Sequence, residues 1–184
     1  MFAWPQHMPS EPAPIEARSL RQALAGFCTG VCLVTTVSKE GKREGMTINS
    51  FSSVSLDPPL VLWGVREAAR SASVYVDSPA FIISVLAADQ QDLALHFARP
   101  SEDKFIGVED LFDGGLGDCP RLKRAVSTYE CQLYSCHHEG DHFLLVGQVK
   151  RFSQSQLSPL IFHRGRMGSL ADHALQAEQV ATAA

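Results

Sequence analysis

"GMTINSFSSVSLDPPLVLWG", residues 45–64, is the stretch on which the reading of the whole chain turns. Its first half crowds Thr47, Asn49, Ser50, Ser52, Ser53 and Ser55 together, and its second half is Pro58-Pro59 followed by an apolar run. Small hydroxyl and amide side chains are turn formers, because they hydrogen-bond the backbone close to themselves. Set directly before a buried strand, the same residues also make a row of donors and acceptors for a flat ligand with a polar edge. "LVLWGV" (60–65) is short, continuous and apolar, and reads as that strand. On this stretch alone, a turn-rich barrel edge and a ligand cradle both remain open.

Working outward, "VCLVTTV" (31–37) is β-branched and runs into the charged, Gly-containing "SKEGKREG", which predicts a hairpin into "MTINS". "AFIISVLA" (80–87) predicts another strand, and residues 127–153 predict two strands joined at "HHEGDH". "PLIFHRGRMGSL" (159–170) predicts a last strand and turn. Helical signals are fewer. Ile15, Leu20, Leu24 and Phe27 recur at near-helical intervals, with Gly30 to stop the helix. "RSASVYVDS" (70–78) fits one or two turns, and "DQQDLALHFAR" (89–99) opens on Asp89 as an N-cap and sets Leu93 and Phe97 on one face. Residues 99–120 predict a long loop with a short helix inside it. Many strands linked by hairpins predict a mainly β fold with helices, a barrel rather than a βαβ alternation.

A chain of 184 residues predicts one domain. We divide it into a mobile Pro-rich arm (1–15), a folded domain (16–170) and an Ala- and Gln-rich tail (171–184) that is either helical or disordered. The formal charge of −4 and the lack of a basic stripe argue against nucleic-acid binding. No apolar run approaches the roughly 20 residues that cross a bilayer, so no membrane span is expected, and the N-terminus lacks the pattern of a signal peptide. Five cysteines without CxxC spacing read as reduced packing residues, Cys28 and Cys32 in the core, in a cytoplasmic protein.

The fingerprints of common chemistries are missing. There is no GxGxxG opening a helix, no GxxxxGK[ST] and no GxSxG. Any nucleotide must therefore be held by other means. Arg66, Arg70, Ser71 and Ser73 put two guanidinium groups and two hydroxyls near a helix start, which suits a phosphate and equally suits a capped surface helix. Lys104 either adds positive charge for such a phosphate or, beside Glu102 and Asp103, is simply solvated, the commoner case. His137 and His138 are neighbours and would face opposite sides of a strand, so no metal centre is expected. His142, next to Asp141, is the better candidate for touching a substrate.

Four segments together carry a resemblance: "FCTGVCLVTT" (27–36), "GMTINSFSSVSLDPPLVL" (45–62), "FIISVLAADQQDLALHFA" (81–98) and "GDH" (140–142). In this order the chain, from about Leu20 to Leu170, resembles the flavin reductase family that supplies reduced flavin to two-component monooxygenases. The resemblance implies a split β-barrel of Greek-key type that binds FMN or FAD, uses NADH or NADPH as co-substrate, forms a homodimer and serves a transient monooxygenase partner. It carries Met46, Thr47, Asn49, Ser50, Ser53, Val54 and Ser55 over as residues along the flavin ring. Arg70, Ser71 and Ser73 are carried over toward the flavin phosphate, although family members often have Lys and Thr where this chain has Arg70 and Ser73. His142 is carried over to the hydride-transfer site, and Trp63 either lines the ring's edge or packs. Two other readings remain: a flavoprotein of this fold that retains FMN as a bound redox group, sensor or store, and a non-catalytic dimeric split-barrel interaction module.

Overall fold

The computed structural model describes residues 14–171, so the Pro-rich arm up to residue 13 and the tail from residue 172 lie outside the described residues. After helix α1 (Ala17–Leu24) come β1 (Thr29–Gly30), β2 (Cys32–Val37), β3 (Arg43–Ile48), β4 (Ser52–Leu56) and β5 (Pro59–Arg66). Helix α2 (Ala72–Asp77), β6 (Ala80–Val85) and helix α3 (Gln91–Ala98) follow. Then come β7 (Phe112–Gly114), β8 (Pro120–Leu122), β9 (Ser127–Glu139), β10 (His142–Gln154), β11 (Ile161–His163) and β12 (Arg166–Gly168), the last strand among the described residues.

Seven strands form one sheet in the order β3-β2-β6-β9-β10-β5-β4, with β1-β11-β12 and β7-β8 as small accessory sheets. The connectivity dictates its shape. The two edge strands, β3 and β4, are consecutive in the chain and joined only by residues 49–51. A flat seven-stranded sheet would hold its edges about 29 Å apart, whereas this link reaches at most about 14 Å. The sheet must therefore curl until its edges meet. Ser50 marks the seam: its Oγ lies 3.1 Å from both the backbone N and O of Gly64 on β5, accepting from the one and donating to the other. Across the interior, Trp63 of β5 meets Phe81 of β6 edge-on at 5.7 Å, though two strands lie between them in the sheet. This is a barrel split between β3 and β4.

The core has two halves on either side of β2. Cys32 and Val34 point into the barrel with Val61, Trp63, Val65, Phe81, Ile83 and Leu145. Val31 and Leu33 point outward, beneath α3, with Ala94, Phe97, Phe105 and Leu160. Burial on both faces explains why β2 reads as an unbroken apolar run rather than an alternating one. Trp63 is wholly buried, stacked edge-on against Tyr75 and Phe81. It packs in the barrel interior.

Several sequence expectations are corrected. The apolar positions of α1 do not reach the core: no residue of that helix is buried, and Phe27 is 76% exposed beyond its end. Cys28 is exposed, not a core residue, while Cys32, Cys119 and Cys131 are buried. Asp89 does not cap α3. It pairs with Arg124 at 2.9 Å, and the cap position is Gln90, with no side-chain cap bond. The turn between β9 and β10 is only Gly140-Asp141, so His137 and His138 belong to the strand. Residues 52–56 are a strand, β4, and residues 159–170 hold two short strands rather than one. The loop from 99 to 120 contains β7 as well as two short 3-10 turns.

Candidate functional site

The barrel's seam leaves one edge of β3 without a partner strand, and a cleft of about 650 Å³ opens along it. Three segments line this cleft. Lys42, Glu44, Met46 and Thr47 of the β2–β3 hairpin form one side. Arg66, Ala68, Ala69, Arg70 and Ser71, from the end of β5 to α2, form the second. Phe97, Ala98, Pro100, Ser101 and Lys104 form the third. Four cations thus face one carboxylate, Glu44. A smaller hollow of about 190 Å³ continues past Thr47 and Ala98 to Ile48, Asn49, Phe162 and Met167.

Local packing sets each wall. Thr47 turns its hydroxyl away from β2 and donates to Ala94 O of α3 at 2.7 Å. Gly45 lies under the ring of Phe97, where a Cβ would come within 2.5 Å of it. A side chain at position 45 would drive α3 off β3. Lys104 ties the same elements from the loop: its Nζ donates to Gly45 O (3.0 Å) and Phe97 O (2.8 Å), while His96 Nε2 donates to Lys104 O (2.6 Å). Burial holds the Lys104 ammonium below its ordinary pKa, with an opposing attraction from Glu44. The acids beside it in sequence turn elsewhere, Glu102 to Arg70 at 3.9 Å and Asp103 to Arg43 at 3.6 Å.

His142 begins β10 directly opposite Arg66, so the two side chains share one face of the sheet; Arg66 lines the cleft and His142 does not. The His142 Nδ1 lies 2.7 Å from Asp141 Oδ1 and donates to it. That bond, and secondarily the imidazole's charge, hold the Asp141 carboxyl below the usual carboxylate range. The turn is fixed in place by Glu67 N, which donates to Asp141 O at 2.9 Å. His138 reaches the same loop through Glu67 at 3.2 Å. Among the described residues no group of His, Cys, Asp or Glu is arranged to hold a metal ion.

The sequence-predicted residues divide accordingly. Met46, Thr47, Arg70 and Ser71 line the main cleft, and Asn49 lines its continuation. Ser50 is the seam residue. Ser53 and Ser55 pair with Val61 and Leu60, Val54 sits in the bulge between them, and the Ser55 hydroxyl donates to Pro58 O. Ser73 faces a separate hollow with Ser38, Lys39 and Asp77. Sequence reasoning missed Lys42 and Glu44, and took Lys104 for a solvated residue more readily than for part of a site. For Lys104 the available signal was the next residue: Phe105 is wholly buried, so the chain dives inward there.

A family model described as a flavin reductase like domain matches residues 24–171. The FMN reductase (NADH) SmoA of Agrobacterium fabrum is 38% identical over 167 residues, 88% of this chain and 92% of that protein. The stachydrine N-demethylase reductase subunit of Rhizobium meliloti is 37% identical over 150 residues, 82% of this chain and 64% of its own length. The chain thus spans less than two thirds of that relative, and about half of some others. Among solved structures, the NADH:FAD oxidoreductase of Streptomyces globisporus in complex with NAD and FAD fragments is 36% identical with a TM-score of 0.74, over 86% of this chain and 95% of that one.

Proposed function

We propose that this chain, which belongs to the flavin reductase like domain family, transfers a hydride from NADH or NADPH to FMN or FAD and supplies the reduced flavin to a partner monooxygenase. The observation that carries the reading is the cleft at the seam. It is large, cationic, walled by small residues at Ala68, Ala69 and Ala98, and bordered by an unpaired strand edge. A flavin nucleotide brings a flat ring with hydrogen-bonding edges and an anionic tail, and those features fit this lining. The names of the relatives, an NADH-dependent FMN reductase and a demethylase reductase subunit, support the same activity and the same kind of partner.

Bound flavin supplies the redox chemistry, its ring taking up the two electrons that the dihydronicotinamide gives as a hydride. The chain's own residues orient the reactants. Met46, Thr47 and Asn49 line the ring's side of the cleft, while Arg66, Arg70, Ser71 and Lys104 compensate the phosphate. With Asp141 held at Nδ1, His142 leaves Nε2 to meet the carboxamide of the nicotinamide. No side chain acts as nucleophile or strong acid, in keeping with the absence of such motifs.

A homodimer and a cytoplasmic setting are part of the proposal. The outward face of β5 and β10 carries the partly covered aliphatics Leu60, Leu62, Leu144 and Val146, and β4 beside them exposes Val54 and Leu56, a surface suited to a second copy. All five cysteines are free thiols, as a reducing compartment would keep them. Steady-state assays test the activity: oxidation of NADH or NADPH should depend on added FMN or FAD. No oxidation with any of these pairs would contradict it.

A further inference from the structure

Of the three histidines in "HHEGDH", the proposed reaction uses only His142. His138 is engaged elsewhere. Its Nε2 lies 3.2 Å from Glu67 Oε2, and its ring lies against that of Phe143, with 4.9 Å between centroids. Glu67 comes directly after β5 and His138 sits on β9, with β10 between those two strands in the sheet. The pair therefore bridges about 10 Å of backbone at the start of β10. Glu67 also grips the turn itself, its N–H donating to Asp141 O at 2.9 Å. One residue thus holds the end of the β9–β10 hairpin at two points, and that residue stands between Arg66 and Ala68, which both line the cleft. An exposed ion pair gains little as a rule, because ordering two side chains offsets the attraction. Here other contacts supply part of the order: Phe143 restrains the imidazole, and the bond to Asp141 fixes the Glu67 backbone. A neutral His138 donates from Nε2 and a protonated one does so with charge, so the contact forms in either state.

We propose that His138 and Glu67 are a positioning pair for hydride transfer. They hold the Gly140-Asp141 turn against the β5–α2 loop, and so fix the place from which Asp141 aims His142. This rests on the reading of His142 as the residue that orients the nicotinamide. Neither member of the pair touches a reactant. His138 lies opposite Phe143 and His142 opposite Arg66, so the two imidazoles stand on opposite faces of the sheet and His138 acts only through the turn.

A double-mutant cycle separates a positioning pair from a strut. The variants are His138→Ala, His138→Gln, Glu67→Ala, His142→Ala, and His138→Ala combined with His142→Ala. Each is read by transient flavin reduction with NADH or NADPH and by flavin titration. His138→Ala and Glu67→Ala should each slow hydride transfer about twofold to fivefold, with flavin affinity within about twofold. His138→Gln, whose amide can donate to Glu67 in place of the imidazole, should restore most of the rate. With His142 already replaced, loss of His138 should change the rate by less than about 1.5-fold. Equal slowing with and without His142 would show that His138 serves the fold at large, and would overturn the proposal. An unchanged rate in His138→Ala would overturn it too. Should one alanine variant not fold, the other reads the same contact from its opposite side; loss of the fold in both would make the pair structural and refute the proposal. An unchanged rate in His142→Ala, or no hydride transfer by the unmutated protein, would overturn the proposal together with the reading it rests on, a result distinct from the others.

Discussion

The imidazole of His142 is aimed by one short bond, 2.7 Å from its Nδ1 to Asp141, and by its place opposite Arg66, a lining residue of the cleft. Its assigned work is to orient the nicotinamide, and orientation affects rate more than flavin binding. His142→Ala should slow hydride transfer about tenfold or more, with flavin affinity changed by less than about threefold. Transient kinetics and flavin titration read the two separately. A large loss of flavin affinity with unchanged hydride transfer would place His142 at the flavin instead. At this scale the sequence was informative where a motif is compact, as at the Gly140-Asp141 turn between β9 and β10. It was misleading at Lys104, because the neighbouring acids that suggested a solvated patch bond Arg70 and Arg43 instead. Those partners lie more than thirty residues away, beyond any local reading.

Strands that hold the barrel together were legible in proportion to their burial. β2, β5 and β6 are buried enough to print apolar runs on the sequence. β4 is an edge strand whose residues are almost all exposed, so its serines carried no strand pattern and read as turn or cradle. α1 shows the opposite error: helical spacing was real, but its apolar positions face away from the barrel. Register leaves its own trace at Gly147 of β10, where the pairing with β9 shifts and the ring of Phe81 fills the space a side chain would need. A Cβ there would lie 2.4 Å from that ring and 2.8 Å from Cys131 Cβ. Gly147→Ala should therefore cost about 1–3 kcal/mol, through displacement of packed core atoms. Urea unfolding measures it, and an unshifted midpoint would show that Phe81 gives way freely.

The whole molecule is organised by one constraint, the short link between β3 and β4 that closes a seven-stranded sheet and leaves a seam. The cleft exists because that seam is bordered by α3 on one side and by the chain from β5 into α2 on the other. Its lining comes from residues 42–47, 66–71 and 97–104, three segments that no single window of sequence contains. The resemblance over residues 20–170 carried the family and the fold, since family motifs preserve such long-range assembly. The division of labour among Arg70, Ser73 and Lys104 needed coordinates. The most direct test of a seam cleft built for hydride transfer is anaerobic stopped-flow absorbance in the flavin band. Protein with FMN or FAD is mixed with NADH or NADPH. The expected result is bleaching with one pair, faster than in the protein-free mixture, by a flavin that afterwards dialyses away. Tight flavin binding with no bleaching beyond the protein-free rate would contradict the account, leaving a flavin cradle without a reductase.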